Sequence, residues 1–432
     1  MLKKKIQIQE CEMMSEGEVR IERLNNGVKV IEQIGSRLKG FTIVAGIPAG
    51  ECFDPLGKAG LGHLGEHVFS GKEGGGIYRY GAELVRRRLV GNAANGEDLT
   101  WFYISGGSPT KVPEALDLLS TSLKSPPSEE ELKIHKRIVR SELLNYSGDH
   151  DRKITWGLGS LFSRCEDDFL AANLNDLSSI RLEDILGFQE TYIRGQSLYI
   201  AMTGNVPNGF MGMVEERLGT LPANGSCLPE YVKPIICTPF LRYFAFGSEP
   251  GVADIALCYD LPVARDPMQE AKLRVLAAAI GGSDSGLLVQ QLRGEAGVAY
   301  NPIATFDRDS VTGDRIAIKF FCSTDDIGIA MSGLVGVMQR IKQEKLSGEA
   351  LHLARLEAKS DLRHFLKDDG RGVMMIEHAL WGRALPAELA RNIGRVSVDE
   401  VYVAANNHLN GNHASVLVGP SGTERYLSDL QL

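Results

Sequence analysis

The chain has 432 residues, more than one hydrophobic core usually organises, which predicts two domains of roughly 200 residues each. Hydrophobic residues at 43% and charged residues at 24% are ordinary for a globular protein, so neither disorder nor a membrane class is favoured, and no apolar run reaches the roughly 18 residues of a spanning helix. A formal net charge of −8 speaks against a nucleic-acid surface, which needs concentrated Lys and Arg, and suits a basic or neutral peptide better.

The first residues carry Lys3, Lys4 and Lys5 but no apolar h-region, and Glu10 and Glu12 argue against a transit peptide; the expected location is cytoplasmic. Strands are predicted at 27–31 and 41–45, followed by a helix that carries His63 and His67 and a second helix at about 80–90. Gly74-Gly75-Gly76 lacks the Lys-Ser/Thr and the preceding strand of a phosphate loop and reads as a flexible turn, while Arg86-Arg87-Arg88 reads as a solvated helix face. The glycine- and asparagine-rich segment 91–96 punctuates the chain before a strand at 99–104, in the manner of a hairpin or an adjacent pair with a loose turn. Ser128 and Glu131 form a capping box just after Pro126-Pro127, so a helix is expected from near Glu129 to about Tyr146, with Gly148 ending it. Helices at 151–164 and 181–193 and a strand at 197–202 complete the first half.

Gly219, Pro222, Gly225, Pro229 and Pro234 make 219–237 the densest helix-breaking stretch, which sets an N-terminal domain at 1–220, a linker at 221–237 and a C-terminal domain at 238–432. The second half repeats the grammar of the first, with strands near 240–247, 252–260 and 298–322, long helices, and a final strand. Ser141-Glu142-Leu143 matches Ser360-Asp361-Leu362, and the end of the first half matches 408–419 in its apolar and glycine positions. Two copies of one α+β domain are the simplest account, each an antiparallel or mixed β-sheet covered by helices on one face. Aligning Leu61 and Leu64 with Leu273 and Leu276 sets His63, Glu66 and His67 against Val275, Ala278 and Ala279, so metal chemistry is expected in the first copy alone. Seven cysteines without a C-x-x-C pair suggest neither a disulfide framework nor a cysteine zinc site; they read mostly as small core residues or inert thiols, and Cys227 and Cys237, which flank the linker, are only a weak candidate pair.

His63-Leu64-Gly65-Glu66-His67 carries the chemistry. On a helix the two histidines project side by side at i and i+4, and Glu66 lies between them in angle, within reach of a metal-bound water. A hydrolytic zinc site needs a third protein ligand, and a buried carboxylate is expected. Glu129, Glu130 and Glu131 satisfy a helix N-terminus. Glu142, late in the same helix and on a face with Ile138 and Val139, gains nothing from the helix dipole and is the best candidate.

With these residues in place, the chain resembles the pitrilysin family of zinc metallopeptidases, which includes insulin-degrading enzyme and the mitochondrial processing peptidase. The inverted motif H-x-x-E-H stands at His63, Glu66 and His67, and Glu142 occupies the place of the distal glutamate some 75 residues on. Gly60 to Gly71 is similar to the family's first-ligand helix, Asn92-Ala93 to its N-A dipeptide, and Arg293 with Tyr300 to its substrate-binding arginine and tyrosine. The resemblance covers almost the whole chain. It implies half of a clamshell chamber, with zinc held by His63, His67 and Glu142, and Glu66 as general base and then acid. Tyr300 is then placed to stabilise the oxyanion, Arg293 to hold a substrate carbonyl, and the edge near Asn92 and Ala93 to take a peptide as an added strand. The sequence departs from the pattern at His135, where the family has a second glutamate and where an imidazole supplies support without negative charge, and at Asn95, where the family has Thr. The implied function is cleavage of unfolded or short peptides, as in peptide turnover, presequence removal or leader removal. Because one chain is half a chamber, a homodimer is expected, with a heterodimer as the alternative, and a silent scaffold subunit as the rival function.

Overall fold

The computed structural model describes residues 17–428 apart from 36–37, 71–76, 147–148, 160–168, 224–239, 247–250, 283, 368 and 411–412. In chain order the strands are β1 (Glu18–Arg23), β2 (Lys29–Ile34), β3 (Phe41–Ile47), β4 (Leu89–Asn95), β5 (Thr100–Gly106), β6 (Tyr199–Gly204), β7 (Phe240–Phe246), β8 (Val252–Leu261), β9 (Ile303–Asp307), β10 (Asp314–Ser323) and β11 (His413–Gly419). The helices of the first half are α1 (Leu61–Phe69), α2 (Ile77–Arg86), α3 (Val112–Lys124), α4 (Glu129–Tyr146), α5 (His150–Gly159), α6 (Phe169–Ser179), α7 (Leu182–Tyr192) and α8 (Phe210–Leu218). Those of the second are α9 (Pro267–Gly281), α10 (Ile327–Gln343), α11 (Gly348–Phe365), α12 (Gly370–Trp381), α13 (Pro386–Ile393) and α14 (Val398–His408).

Two mixed sheets carry the duplication. The first has the order β1-β2-β6-β3-β5-β4 and the second β7-β11-β8-β10-β9. Without β1 the orders are the same, and in each the one parallel pair joins the first strand of the repeat to its last: β2 with β6, and β7 with β11. The α+β architecture expected from the sequence is therefore present twice.

The compact units interleave in sequence. Unit 1 comprises 1–142, 173–231 and 363–387, and unit 2 comprises 143–172, 232–362 and 388–432. Each thus takes a helix from the other half of the chain. In unit 1, Val373, Met375 and Ile376 of α12 pack on Val44, Ala201 and Ile31 of the first sheet. In unit 2, Ile154 and Leu158 of α5 pack on Ala256, Cys258, Val416 and Val418 of the second. The close seat of α12 depends on Gly372, where an added Cβ would collide with the Val44 side chain.

Several sequence expectations shift in detail. The helix placed at 80–90 stops at Arg86, and the segment read as punctuation is itself strand, since Leu89–Asn95 pairs with Thr100–Gly106 as a hairpin. Gly, Asn and Ala favour no strand by themselves; the ladder to β5 imposes it. Gly91 is required there, because a Cβ would stand 2.9 Å from the Tyr103 carbonyl and 3.2 Å from Leu84. The α4 bounds agree with the capping-box reading, and the Ser128 amide does donate to Glu131 at 2.8 Å. Gly74–Gly76, most of the stretch 219–237, and Cys227 and Cys237 lie outside the described residues. No helix among the described residues is long and apolar enough to cross a membrane.

Replacing Gly372 by Ala should cost about 1–3 kcal/mol through overpacking of α12 on β3. An unchanged denaturation midpoint in G372A would mean that α12 does not hold this sheet.

Candidate metal centre

α1 starts without a cap of its own. Gly60 stands at its N-cap with φ 82°, and Asp54, six residues earlier, accepts the Gly60 and Gly62 N–H groups at 2.8 Å each. The first turn is therefore fixed from outside the helix. Leu61, Leu64 and Val68 are buried in unit 1. Gly65 allows close contact with α7, since a Cβ there would meet the Phe188 ring at 3.1 Å, and Phe69 stacks on the same ring. With the apolar face so pinned, His63 and His67 emerge together on the other side, their ring centroids 4.9 Å apart.

Glu142 comes to them from α4. Its Oε2 lies 3.6 Å from His63 Nε2 and 3.2 Å from His67 Nε2, and one donor atom from each of the three residues falls within 4.8 Å of the others. Zinc bonds of about 2.0–2.1 Å in a tetrahedron leave neighbouring donors about 3.3 Å apart, and the two carboxylate–imidazole separations bracket that spacing. Two imidazoles and a carboxylate are also the donor chemistry of a hydrolytic zinc site. The residues fit the metal. Glu142 is less buried than the sequence reading held: its side chain keeps 28% exposure, and Ile138, expected on an inward face with Val139, is 41% exposed. Val139 alone of that pair is core, so Glu142 stands at the margin of the buried face, where a group can reach both protein and solvent.

Glu66 is 8% exposed, with Oε2 3.7 Å from His67 Nε2. Burial pushes its carboxyl above the usual range and Glu142 adds to this, while the two imidazoles and a hydrogen bond from Ser70 oppose it. Burial draws His63 downward, but the hydrogen bond to Glu142 and the charges of Glu51, Glu142 and Glu66 outweigh it and hold the imidazole above its ordinary value. Glu51 was not singled out in the sequence, and neither was Asp54. Their effects arise from a turn that folds back on α1, which no local spacing announces. His135, two turns before Glu142, is 4% exposed, with its ring 6.1 Å from that of His67.

The other candidate residues fall into two places. Asn92 and Ala93 are on β4, at the edge of the first sheet, and the Asn95 amide donates to Thr100 Oγ1 at 2.5 Å across the hairpin turn. Arg293 and Tyr300 belong to unit 2, on and just after a π-helical turn at Val289–Glu295. The Arg293 guanidinium lies 4.9 Å from the Tyr300 ring centroid, both side chains are open to solvent, and Arg293 also reaches Asp284 at 3.4 Å.

Comparison with known proteins adds independent findings. Residues 179–357 match the family model described as the peptidase M16 inactive domain, a segment that contains none of His63, His67 and Glu142. The chain is 22% identical over 417 residues to a protein named uncharacterized zinc protease YmxG from Bacillus subtilis (strain 168), covering 92% of this chain and 97% of that one. These matches support the M16 family. Among solved structures, a protease from Helicobacter pylori superimposes with a TM-score of 0.80 at 15% identity, covering 94% of this chain and 100% of that one. A putative M16-like peptidase from Alicyclobacillus acidocaldarius gives 0.77 at 15% identity, covering 94% and 99%. At that identity the likeness concerns the fold, and the M16-type fold is the one seen here.

In the metal-free protein His63 should titrate above its ordinary value, with its midpoint lowered in Glu142→Gln. The raised folded-state value means that the His63–Glu142 pair stabilises the fold fully below the unfolded pKa and ceases to do so as pH rises through the folded one. Imidazole NMR titration together with melting of both proteins across that window checks this; a His63 midpoint unaffected by the substitution contradicts it.

Proposed function

We propose that the chain is a zinc-dependent endopeptidase acting on unfolded or short peptides. The observation that carries this reading is the convergence of His63, His67 and Glu142, with the buried Glu66 carboxylate 3.7 Å from His67. Zinc bound by the three donors supplies Lewis acidity, which polarises a carbonyl and brings the pKa of water down to about 7. Glu66, whose raised pKa brings it closer to neutral pH, takes a proton on its carboxylate and passes it to the leaving amine. His135, its ring 6.1 Å from that of His67, supports the site as a hydrogen-bonding group without the negative charge of a glutamate.

Substrate handling follows from the remaining residues. β4 ends its sheet, so its outer edge offers main-chain groups at Asn92 and Ala93 to an extended peptide. Arg293 holds a substrate carbonyl and the Tyr300 phenol donates to the developing oxyanion. A second copy of the chain completes the chamber, and Arg293 and Tyr300 then serve the zinc of the partner. A silent scaffold subunit is the second reading, favoured by the description of the model matched at 179–357 as an inactive domain.

Glu66→Gln should retain zinc and lose about 10²–10⁴-fold in cleavage of a peptide library, while Glu142→Gln should lose the metal itself. Zinc analysis and cleavage with and without chelator separate the readings: a metal-free chain, or cleavage indifferent to Glu66, supports the scaffold. Arg293→Ala and Tyr300→Phe should each lower kcat/KM by about tenfold or more without altering zinc content. Unchanged cleavage in both would remove them from substrate handling.

A further inference from the structure

A cavity of unit 1 apart from the metal centre has chemistry of its own. It is open to solvent and has a volume of about 490 Å³, an ordinary size for a ligand site, where β3 begins and β5 and β6 end. Thr42 pairs in register with Ser105 on one side and with Thr203 on the other, so three neighbouring strands present hydroxyls in one row on one face of the sheet. Thr42 and Ser105 hydroxyls share a hydrogen bond of 2.8 Å. Glycines keep the wall close to bare backbone: Gly40 has φ 76°, and a Cβ there would stand 2.6 Å from the Gly106 carbonyl.

Charge gives the cavity its character. Lys39, Arg88, Lys367 and Arg371 line it, and no Asp or Glu is among the described residues that do, although the chain as a whole carries −8. Arg371 is 4% exposed and belongs to the first turn of α12, the end of a helix that favours anions. Burial holds its guanidinium below the usual range. The acidic neighbour Asp369 is turned to the Trp101 indole N–H and does not line the cavity. A guanidinium fork, two lysines and a row of hydroxyls form the donor set that recognises a carboxylate or phosphate.

We propose that this cavity is an oxyanion site, binding a carboxylate or phosphate group independently of the metal centre. Two sources share that chemistry. One is free phosphate or a phosphorylated small molecule. The other is the C-terminal carboxylate of a peptide: Arg88 and Val90, where β4 begins, line the cavity, so a peptide lying antiparallel to β4 ends its chain there. The opposite direction would bring an amino terminus among four cations, so the site would also set the polarity of an added strand.

The test is calorimetric titration of the full chain, in the presence of chelator, with inorganic phosphate, a short peptide bearing a free C-terminal carboxylate, and the same peptide amidated. At least one of phosphate and the carboxylate peptide should bind at millimolar concentration or below. The exposed double variant Lys367→Gln/Arg88→Gln, which leaves the core intact, should weaken binding by about tenfold or more, the loss of one or two charge-assisted hydrogen bonds. Arg371→Met should abolish it, and Glu142→Gln should leave it unchanged. A preference for the free carboxylate over the amide, with competition by phosphate, assigns the peptide end as the source; phosphate binding alone assigns the free anion. No binding of either probe, or equal binding in the double variant, overturns the proposal. Loss of binding in Glu142→Gln would merge this site with the metal centre and overturn its independence.

Discussion

The distance between α1 and α4 governs the chemistry of unit 1. Two imidazoles and the Glu142 carboxylate meet at 3.2–3.6 Å, with Glu66 at 3.7 Å from His67, and such a group of donors is stable only when positive charge is present among them. The Glu142 contact favours the protonated form of His63 in the bare protein, and a divalent metal would bring positive charge to all three donors. The fold keeps the helices at that separation by devices remote from the reacting atoms. Asp54 fixes the first turn of α1, and the contact of Gly65 with Phe188 fixes its depth. A larger residue at position 65 would press on the Phe188 ring and shift α1, and both imidazoles with it, without touching any donor.

How much of this could be read from the sequence depends on the range of the interaction. Spacing of three and four along one helix is a local property, so His63, Glu66 and His67 were legible at once, and a capping box gave α4 its bounds. Glu142 was legible by its misfit to the helix dipole and by family resemblance, but its half-exposed position was not, because that depends on where the margin of the core falls. Asp54 and Glu51 were invisible. Their roles come from a turn that returns to the start of α1, and the sequence holds no period or cap that links position 54 to position 60.

The strand at Leu89–Asn95 shows the opposite failure. Gly91, Asn92 and Ala93 read as a break in local terms, yet pairing with β5 makes them the edge of the sheet. The same compactness that weakens their intrinsic preference allows close packing beneath α2 through Gly91. The exchange of α5 and α12 was also out of reach. Over its first two turns α12 is buried all round, Arg371 and Glu377 included, and such a stretch records that it is enclosed but not by which sheet.

The second copy is the internal control for the first. Val275, Ala278 and Ala279 are buried at the positions of His63, Glu66 and His67, and Ala354 takes the place of His135 when Glu142 is aligned with Asp361. Ala278, Ala279 and Ala354 line a cavity of about 320 Å³ in unit 2. The scaffold therefore tolerates small apolar residues at these positions, beside a cleft that polar side chains such as Arg340 and Glu344 also line. The repeated sheet topology is thus built in unit 2 without these polar groups, and the imidazoles and carboxylates of unit 1 are an addition to a frame that stands without them. Their convergence consequently reports on chemistry, since packing gives no account of two histidines and two glutamates gathered at one point.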